Sequence, residues 1–390
     1  MAETSPATTA FDFQPRTRIV FGPGRVTELG ALAAELGGTR ALVVSDPGIV
    51  AAGHAQRGLD ALAAAHINTQ LFDRVVENPT TDTVAAGLAI AQEFRPDLIV
   101  GFGGGSSMDA AKGVNFLYTN GGRMQDYWGT GKASRPLLPM IAVPTTSGTG
   151  SETQSYALIS DAETHVKMAC GDRKAAFRVA LLDPALTLTQ PPRVTALTGI
   201  DAVAHALETF VTTRRNPVSL AFSREAWQLL AENFPLVLES PGNLEARAGM
   251  QLGACFAGLA IENSMLGAAH ALANPLTARY GVVHGEAVGL MLPHVIRYNA
   301  AAVAPWYQSL LESTAGSNGF PTPEDGAHGL ADFVTRLCAK AGLKTRLAEL
   351  AVERDALAEL ASEAAQQWTG TFNPRKVGAL ELLGIYEGAM

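Results

Sequence analysis

The stretch DLIVGFGGGSSMDAAKGVNFLY, residues 97–118, decides the fold. Leu98–Val100 and Phe102 form an unbroken apolar run, as in a strand buried on both faces. Three consecutive glycines follow, and Ser106–Tyr118 then reads as a helix. Glycines at a strand's C-terminal end let the backbone approach an anion. The first amides of the following helix point at that anion with the positive end of the dipole. The loop is therefore a candidate pyrophosphate cradle, or simply a tight strand-to-helix turn.

The same alternation extends to both sides. ALVVSD (41–46) and TQLFDRV (69–75) read as strands, and PMIAVPTTSGTG (139–150) as a strand entering a turn-rich loop. AAGHAQRGLDALAAAH (51–66) and TTDTVAAGLAIAQEF (80–94) read as helices, the second starting at a capping threonine. Strands alternating with helices predict βαβ units and a parallel sheet. The glycine loop departs from the common dinucleotide fingerprint, because it follows a later strand and has no acid about 20 residues downstream. The acid lies upstream: Asp46 closes the first strong strand. It is suited either to a ribose 2′-hydroxyl, where it would repel a 2′-phosphate, or to ending a strand before Pro47. PTTSGTGSE (144–152), rich in hydroxyls, ends another strand and is suited to the same ligand.

After VALLDPALTLTQPP (179–192) the β signal disappears. VSLAFSREAWQLLAENF (218–234) and ARAGMQLGACFAGLAIENSMLGAAHALA (246–273) are helical and apolar. We expect an α/β dinucleotide-binding domain at 1–190 and an all-α domain at 191–390 carrying a metal and the substrate. STAGSNGFPTPEDGA (313–327) reads as a surface connection and MAETSPATTAFDFQP as a frayed leader without signal-peptide character.

Bulk properties narrow the function. With 47% hydrophobic and 17% charged residues the chain has globular composition, and a formal net charge of −8 argues against nucleic acid or an anionic membrane surface as partner. Apolar runs such as LLPMIAVP stop short of the roughly 20 residues that span a bilayer. Cys170, Cys255 and Cys338 are odd in number and form no CxxC, which predicts reduced thiols and a cytoplasmic chain.

The helical half poses its own question in TGIDAVAHALE (198–208), where an apolar helix carries Asp201 and His205 four residues apart and hence on one face. His270 follows in the next small-residue helix and His284 in the loop after it. One carboxylate and three imidazoles suit a divalent transition ion. The alternative is an Asp–His hydrogen bond within one helix and two unrelated histidines. His54, His66, His165, His294 and His328 read as surface or structural.

RIVFGPG (18–24), GGGSSMDAAK (103–112), PTTSGTGSE, TGIDAVAHALE, HALANPLTARYGVVHGEAVGLMLPHVIRYN (270–299) and NPR (373–375) together resemble the iron-containing (group III) alcohol dehydrogenase family, within the wider glycerol dehydrogenase and dehydroquinate synthase group. The resemblance implies a dehydroquinate synthase-like architecture. It also implies reversible hydride transfer between a small alcohol and NAD, with Fe²⁺ (or Zn²⁺) held by Asp201, His205, His270 and His284. It places Gly104, Gly105, Ser106 and Ser107 in the phosphate loop with Asp109 in the same motif, Thr145, Thr146 and Lys167 at the cofactor, Asp46 at the position that favours NAD over NADP, and Tyr156 and Ile261 in the substrate pocket. A homo-oligomer, dimeric or larger, is implied as well. One departure is Asn274, where many members carry a histidine near the nicotinamide that is a proposed proton relay; an amide cannot change its charge state. The rival functions are a metal-dependent lyase of the dehydroquinate synthase type, which needs a basic substrate pocket, and a non-catalytic nucleotide-binding module.

Overall fold

The computed structural model describes residues 9–314, 322 and 325–390. The start of the leader and most of the connection expected at 313–327 lie outside the described residues. The chain divides into two compact units: a sheet unit, Gln14–Thr146 with Gly150–Gln190, and a helical unit, Pro191–Met390 with Ser147–Thr149 and the leader up to Phe13.

The sheet unit holds strands β1 (Arg18–Phe21), β2 (Arg40–Val44), β3 (Asn68–Phe72), β4 (Leu98–Gly103), β5 (Gly129–Thr130), β6 (Met140–Pro144), β7 (Tyr156–Ser160), β8 (Lys167–Gly171) and β9 (Val179–Leu182). Its helices are α1 (Leu29–Glu35), α2 (Pro47–Ala51), α3 (His54–Ala64), α4 (Thr81–Phe94) and α5 (Gly105–Asn120). Six strands form one parallel sheet in the order β1-β9-β6-β4-β2-β3. β9 lies between β1 and β6, so the segment at 179–182 completes this sheet before the helices begin. A smaller sheet, β5-β8-β7, was not foreseen from the strand pattern.

Alternating strand residues feed two cores, because successive side chains point to opposite faces. Ala41, Val43, Val100 and Phe102 join Leu29 and Leu32 of α1 and Leu62 of α3. Leu42, Val44 and Ile99 join Val84 of α4 and Ala110 and Val114 of α5. The chain leaving β2 therefore turns to one face and the chain leaving β4 to the other. That reversal opens a crevice at the C-terminal ends of these neighbouring strands, where open α/β sheets take ligands.

The helical unit contains α6 (Pro192–Val211), α7 (Pro217–Glu239), α8 (Leu244–Glu262), α9 (Ala268–Tyr280), α10 (His284–Glu312), α11 (Gly326–Lys340), α12 (Leu357–Ala364) and α13 (Ala379–Gly388). No strand occurs among its described residues beyond 190. Two details differ from expectation. The apolar run 246–273 is two helices, broken at Asn263–Gly267, and His284 opens α10 instead of lying in a loop. Helix α6 is long and apolar enough to cross a bilayer, contrary to the expectation from the apolar runs. However, 83% of that span is buried inside the protein, as in a core helix. Gly285 lets α10 approach α6, since a Cβ there would lie 2.1 Å from the Leu197 carbonyl oxygen.

None of the three cysteines joins a disulfide, and all are buried. His66 and His165 occupy left-handed turn positions (φ 60° for both), and His54 shares a 2.6 Å hydrogen bond with the Thr189 hydroxyl. His294, on α10, is largely buried, and burial followed by the charge of Arg297 pushes its pKa down to about 4 from 6.5. The unfolded chain therefore protonates His294 first as pH falls. The stability is complete above pH 6.5 and is lost towards pH 4. At pH 5 the loss amounts to about 2 kcal/mol. Urea unfolding at pH 7 and pH 5 should show a smaller acid loss in His294→Gln than in the wild type. Equal losses would show that this imidazole is not held neutral.

Candidate metal centre and dinucleotide crevice

In the helical unit, α6, α9 and the start of α10 converge on one carboxylate oxygen. Asp201 Oδ1 lies 3.5 Å from His205 Nε2, 3.4 Å from His270 Nε2 and 3.9 Å from His284 Nε2. The ligand atoms of Asp201, His270 and His284 all lie within 4.8 Å of one another. The His205 ring stacks on His270 with centroids 4.9 Å apart, and its Nδ1 is 3.3 Å from the Gly148 carbonyl oxygen. That contact turns Nε2 towards Asp201. Asp201, His205 and His270 are buried, and His284 is partly exposed.

Asp201 Oδ1 and His270 Nε2 are both buried without a hydrogen-bond partner. Buried polar atoms are rarely left so, and two facing each other suit a cation between them. The electrostatics agree. Burial raises Asp201, but the imidazoles of His205, His270 and His284 outweigh it and hold the carboxyl well below the usual range. Burial pushes the His205 pKa below its ordinary value, against the opposing pull of Asp201. Burial also disfavours charge on His270, but Glu208 and Asp201 outweigh it and raise its pKa to about 9. The cluster thus favours positive charge at its centre. Glu208 was missed in the sequence. It lies on α6 three residues after His205, and its Oε2 is 2.5 Å from His270 Nδ1. Its spacing of seven from Asp201 was the available signal, since that interval returns to the same helix face.

Asn274 stands where many family members carry a histidine, and a proline follows it. Helix α9 runs past it and Pro275 to Tyr280, so it does not end the helix. Its Nδ2 donates to Gln367 Oε1 at 2.9 Å. Ile261 is buried at the end of α8, in the helical unit, whereas Tyr156 lies on β7 in the sheet unit.

In the sheet unit, the C-terminal ends of β2 and β4 carry the glycine loop and Asp46. Gly103 has φ 150°, and a Cβ there would meet Ser107 Oγ at 2.5 Å and Asp46 Oδ2 at 3.0 Å. Gly104 caps α5 with no side-chain cap, so the first amides of a 16-residue helix, starting at Gly105, face the crevice. Ser107 Oγ donates to Asp46 Oδ2 at 3.2 Å, and Asp46 Oδ1 accepts from Ile49 N at 3.1 Å. Asp46 is therefore a helix cap and also sits beside the glycine loop. Ser106 Oγ accepts from Asn78 N, and Lys167 Nζ donates to Asn78 Oδ1 at 3.2 Å, which ties two expected cofactor residues together through Asn78. Thr145 N donates to the Gly103 carbonyl, while Thr145 Oγ1 and Ser45 Oγ are buried without partners at the ends of β6 and β2, on either side of β4. Thr146 lies against Gly104, within 3.5 Å of where its Cβ would be. Asp109 differs from the others. Its buried carboxylate accepts from Ser151 Oγ at 2.8 Å and lies 3.7 Å from the fully buried Lys112, whose Nζ also donates to Ser151 and the Tyr156 carbonyl. Those bonds tie α5 to β7.

Residues 15–184 match the family described as iron-containing alcohol dehydrogenase, and residues 195–390 match the C-terminal region of the Fe-containing alcohol dehydrogenase family. The chain is 33% identical to 1,3-propanediol dehydrogenase of Klebsiella pneumoniae over 97% of its own length and 98% of the relative's. It superposes on a crystal structure of 1,3-propanediol oxidoreductase with a TM-score of 0.93, at 33% identity, covering 98% of this chain and 100% of the other. A sulfoacetaldehyde reductase from Bifidobacterium kashiwanohense, solved in complex with NAD⁺, matches with a TM-score of 0.89 at 28% identity, covering 98% and 99% of the two chains. The α/β parallel sheet followed by a helical half is the architecture of these structures. The chain belongs to the iron-containing alcohol dehydrogenase family, and is thus an enzyme of the NAD-dependent alcohol oxidoreductase class.

Proposed function

We propose that the protein transfers a hydride reversibly between a small alcohol or its aldehyde and NAD(H), at a single divalent ion held by Asp201, His205, His270 and His284. The observation that carries this reading is a pair of buried atoms without a hydrogen bond, Asp201 Oδ1 and His270 Nε2, which lie 3.4 Å apart. One carboxylate oxygen and three imidazole nitrogens form a borderline-hard set that suits Fe²⁺, with Zn²⁺ the alternative. When bound, the ion supplies Lewis acidity to the substrate oxygen, and the nicotinamide supplies the hydride chemistry.

The chain's own residues do the positioning. The uncapped start of α5 and Gly104, Gly105, Ser106 and Ser107 would bind the pyrophosphate; Thr145 Oγ1 and Ser45 Oγ are donors with no protein partner at the same sheet edge. Thr146 and Lys167 flank that edge. Asp46 accepts hydrogen bonds and would repel a 2′-phosphate. Asn274, held by Gln367, can orient a water or the cofactor amide but cannot itself take up a proton near neutrality. We take residues 1–190 as the cofactor half and 191–390 as the metal and substrate half. On the family resemblance we take the enzyme to be a cytoplasmic homo-oligomer, a dimer in its simplest form.

Elemental analysis combined with NADH oxidation over a panel of short aldehydes tests the reading. His270→Ala should weaken metal binding by more than the roughly 10–100-fold that outer partners typically contribute, and should abolish turnover while leaving NADH binding intact. A His270→Ala protein with full metal content and activity would refute the ligand set. The structure also selects the better cofactor test. Asn at position 46 keeps the cap on Ile49 while removing the charge, so Asp46→Asn separates the two roles. The wild type should prefer NAD over NADP by at least about tenfold in kcat/KM, equivalent to about 1.4 kcal/mol, and Asp46→Asn should narrow that gap. Equal kcat/KM for both cofactors in the wild type would contradict the assignment.

A further inference from the structure

We propose that Glu208 is the positioning residue of the metal centre: its carboxylate fixes the His270 ring so that Nε2 offers its lone pair to the ion, and it locks the start of α9 in the same act. The inference rests on the metal reading of the cluster. Glu208 is buried, and its two oxygens have separate tasks. Oε1 accepts from the Ala269 amide at 2.7 Å, and Oε2 lies 2.5 Å from His270 Nδ1. The imidazole thus donates Nδ1–H to the carboxylate, and Nε2, on the side that faces Asp201, keeps its lone pair for the ion.

The surroundings hold Glu208 to that position. Gly267 precedes α9 without any side-chain cap of its own. A Cβ there would lie 3.0 Å from Glu208 Oε1 and 3.2 Å from Asn373 Oδ1. Asn373 Oδ1 lies 3.4 Å from the Ala268 amide, and Asn373 exchanges two amide hydrogen bonds with the buried Asn299 (2.7 and 3.1 Å). The first amides of α9 are therefore satisfied by side chains from α6 and from the segment after α12, not from α9 itself. This gives a structural place to the NPR motif, which the cofactor and metal readings leave unused.

A carboxylate is required here and an amide is not equivalent. Two donors, Ala269 N–H and His270 Nδ1–H, converge on one side chain. Glutamine has one acceptor oxygen, so one donor would face its NH₂ group. If that donor is His270, the ring must turn or move its proton to Nε2, and Nε2 then cannot ligate.

The test compares wild type with Glu208→Gln, both stripped of metal and titrated with Zn²⁺ or Co²⁺ against a chelator of known affinity. In Glu208→Gln the metal Kd should rise about 10–100-fold, and the visible absorption of the Co²⁺ form should change. NADH binding, followed by fluorescence, should stay at the wild-type value. A second measurement needs no variant. In ¹⁵N-histidine-labelled, Zn²⁺-loaded wild type, His270 should carry its proton on Nδ1. Equal Kd values and identical Co²⁺ spectra in both proteins, or a His270 protonated on Nε2, would overturn the assignment of Glu208 while leaving the ligand set standing. A folded wild type that takes up neither ion would overturn both.

Discussion

A carboxylate buried in an apolar helix, Asp201, governs the metal centre of the helical unit. Asp201 sits in α6 among Ile200, Ala202, Val203 and Ala204, all fully buried. An uncompensated charge there would cost several kcal/mol. Three imidazoles from three helices turn towards it, and two facing atoms remain without hydrogen bonds. A divalent ion compensates this arrangement in a way that neutral hydrogen bonds do not. Much of the unit's detail serves to bring those helices close enough: the absent side chain at Gly285 against Leu197, the break between α8 and α9, and the clamp on the first turn of α9.

The sheet unit solves a different problem. It presents donors to an anion. The donors at the crevice include backbone amides and hydroxyls, Lys167 is tied to Ser106 through Asn78, and Asp46 is a carboxylate. Opposite faces receive the chain after β2 and after β4, so the crevice follows from strand order before any side chain is considered.

Much of this was legible in the sequence because the relevant signals were local. The apolar run at 98–102 and the glycines after it follow from strand and helix-start chemistry, and Asp201 and His205 share a face by simple helical spacing. What could not be read depended on distant partners. Nothing near Glu208 in the chain shows that His270, 62 residues away, will donate to it. The pairing of β7 with β8 is equally non-local, as is the placement of β9 between β1 and β6. Asp109 was placed with the cofactor residues because it follows the glycine motif, but helix α5 turns it towards Ser151 and Lys112. Asn274 precedes a proline, which locally disfavours helical geometry, yet α9 runs through both residues to Tyr280.

X-ray absorption at the metal edge of the loaded protein tests the central claim most directly. It reports the number and type of atoms around the ion without relying on activity. The account predicts one ion per chain, with a first shell of three imidazole nitrogens and one carboxylate oxygen at about 2.0–2.2 Å, plus light atoms from solvent or substrate. A sulfur ligand, a shell with fewer than two imidazoles, or a stoichiometry well below one ion per chain under saturating metal would contradict it.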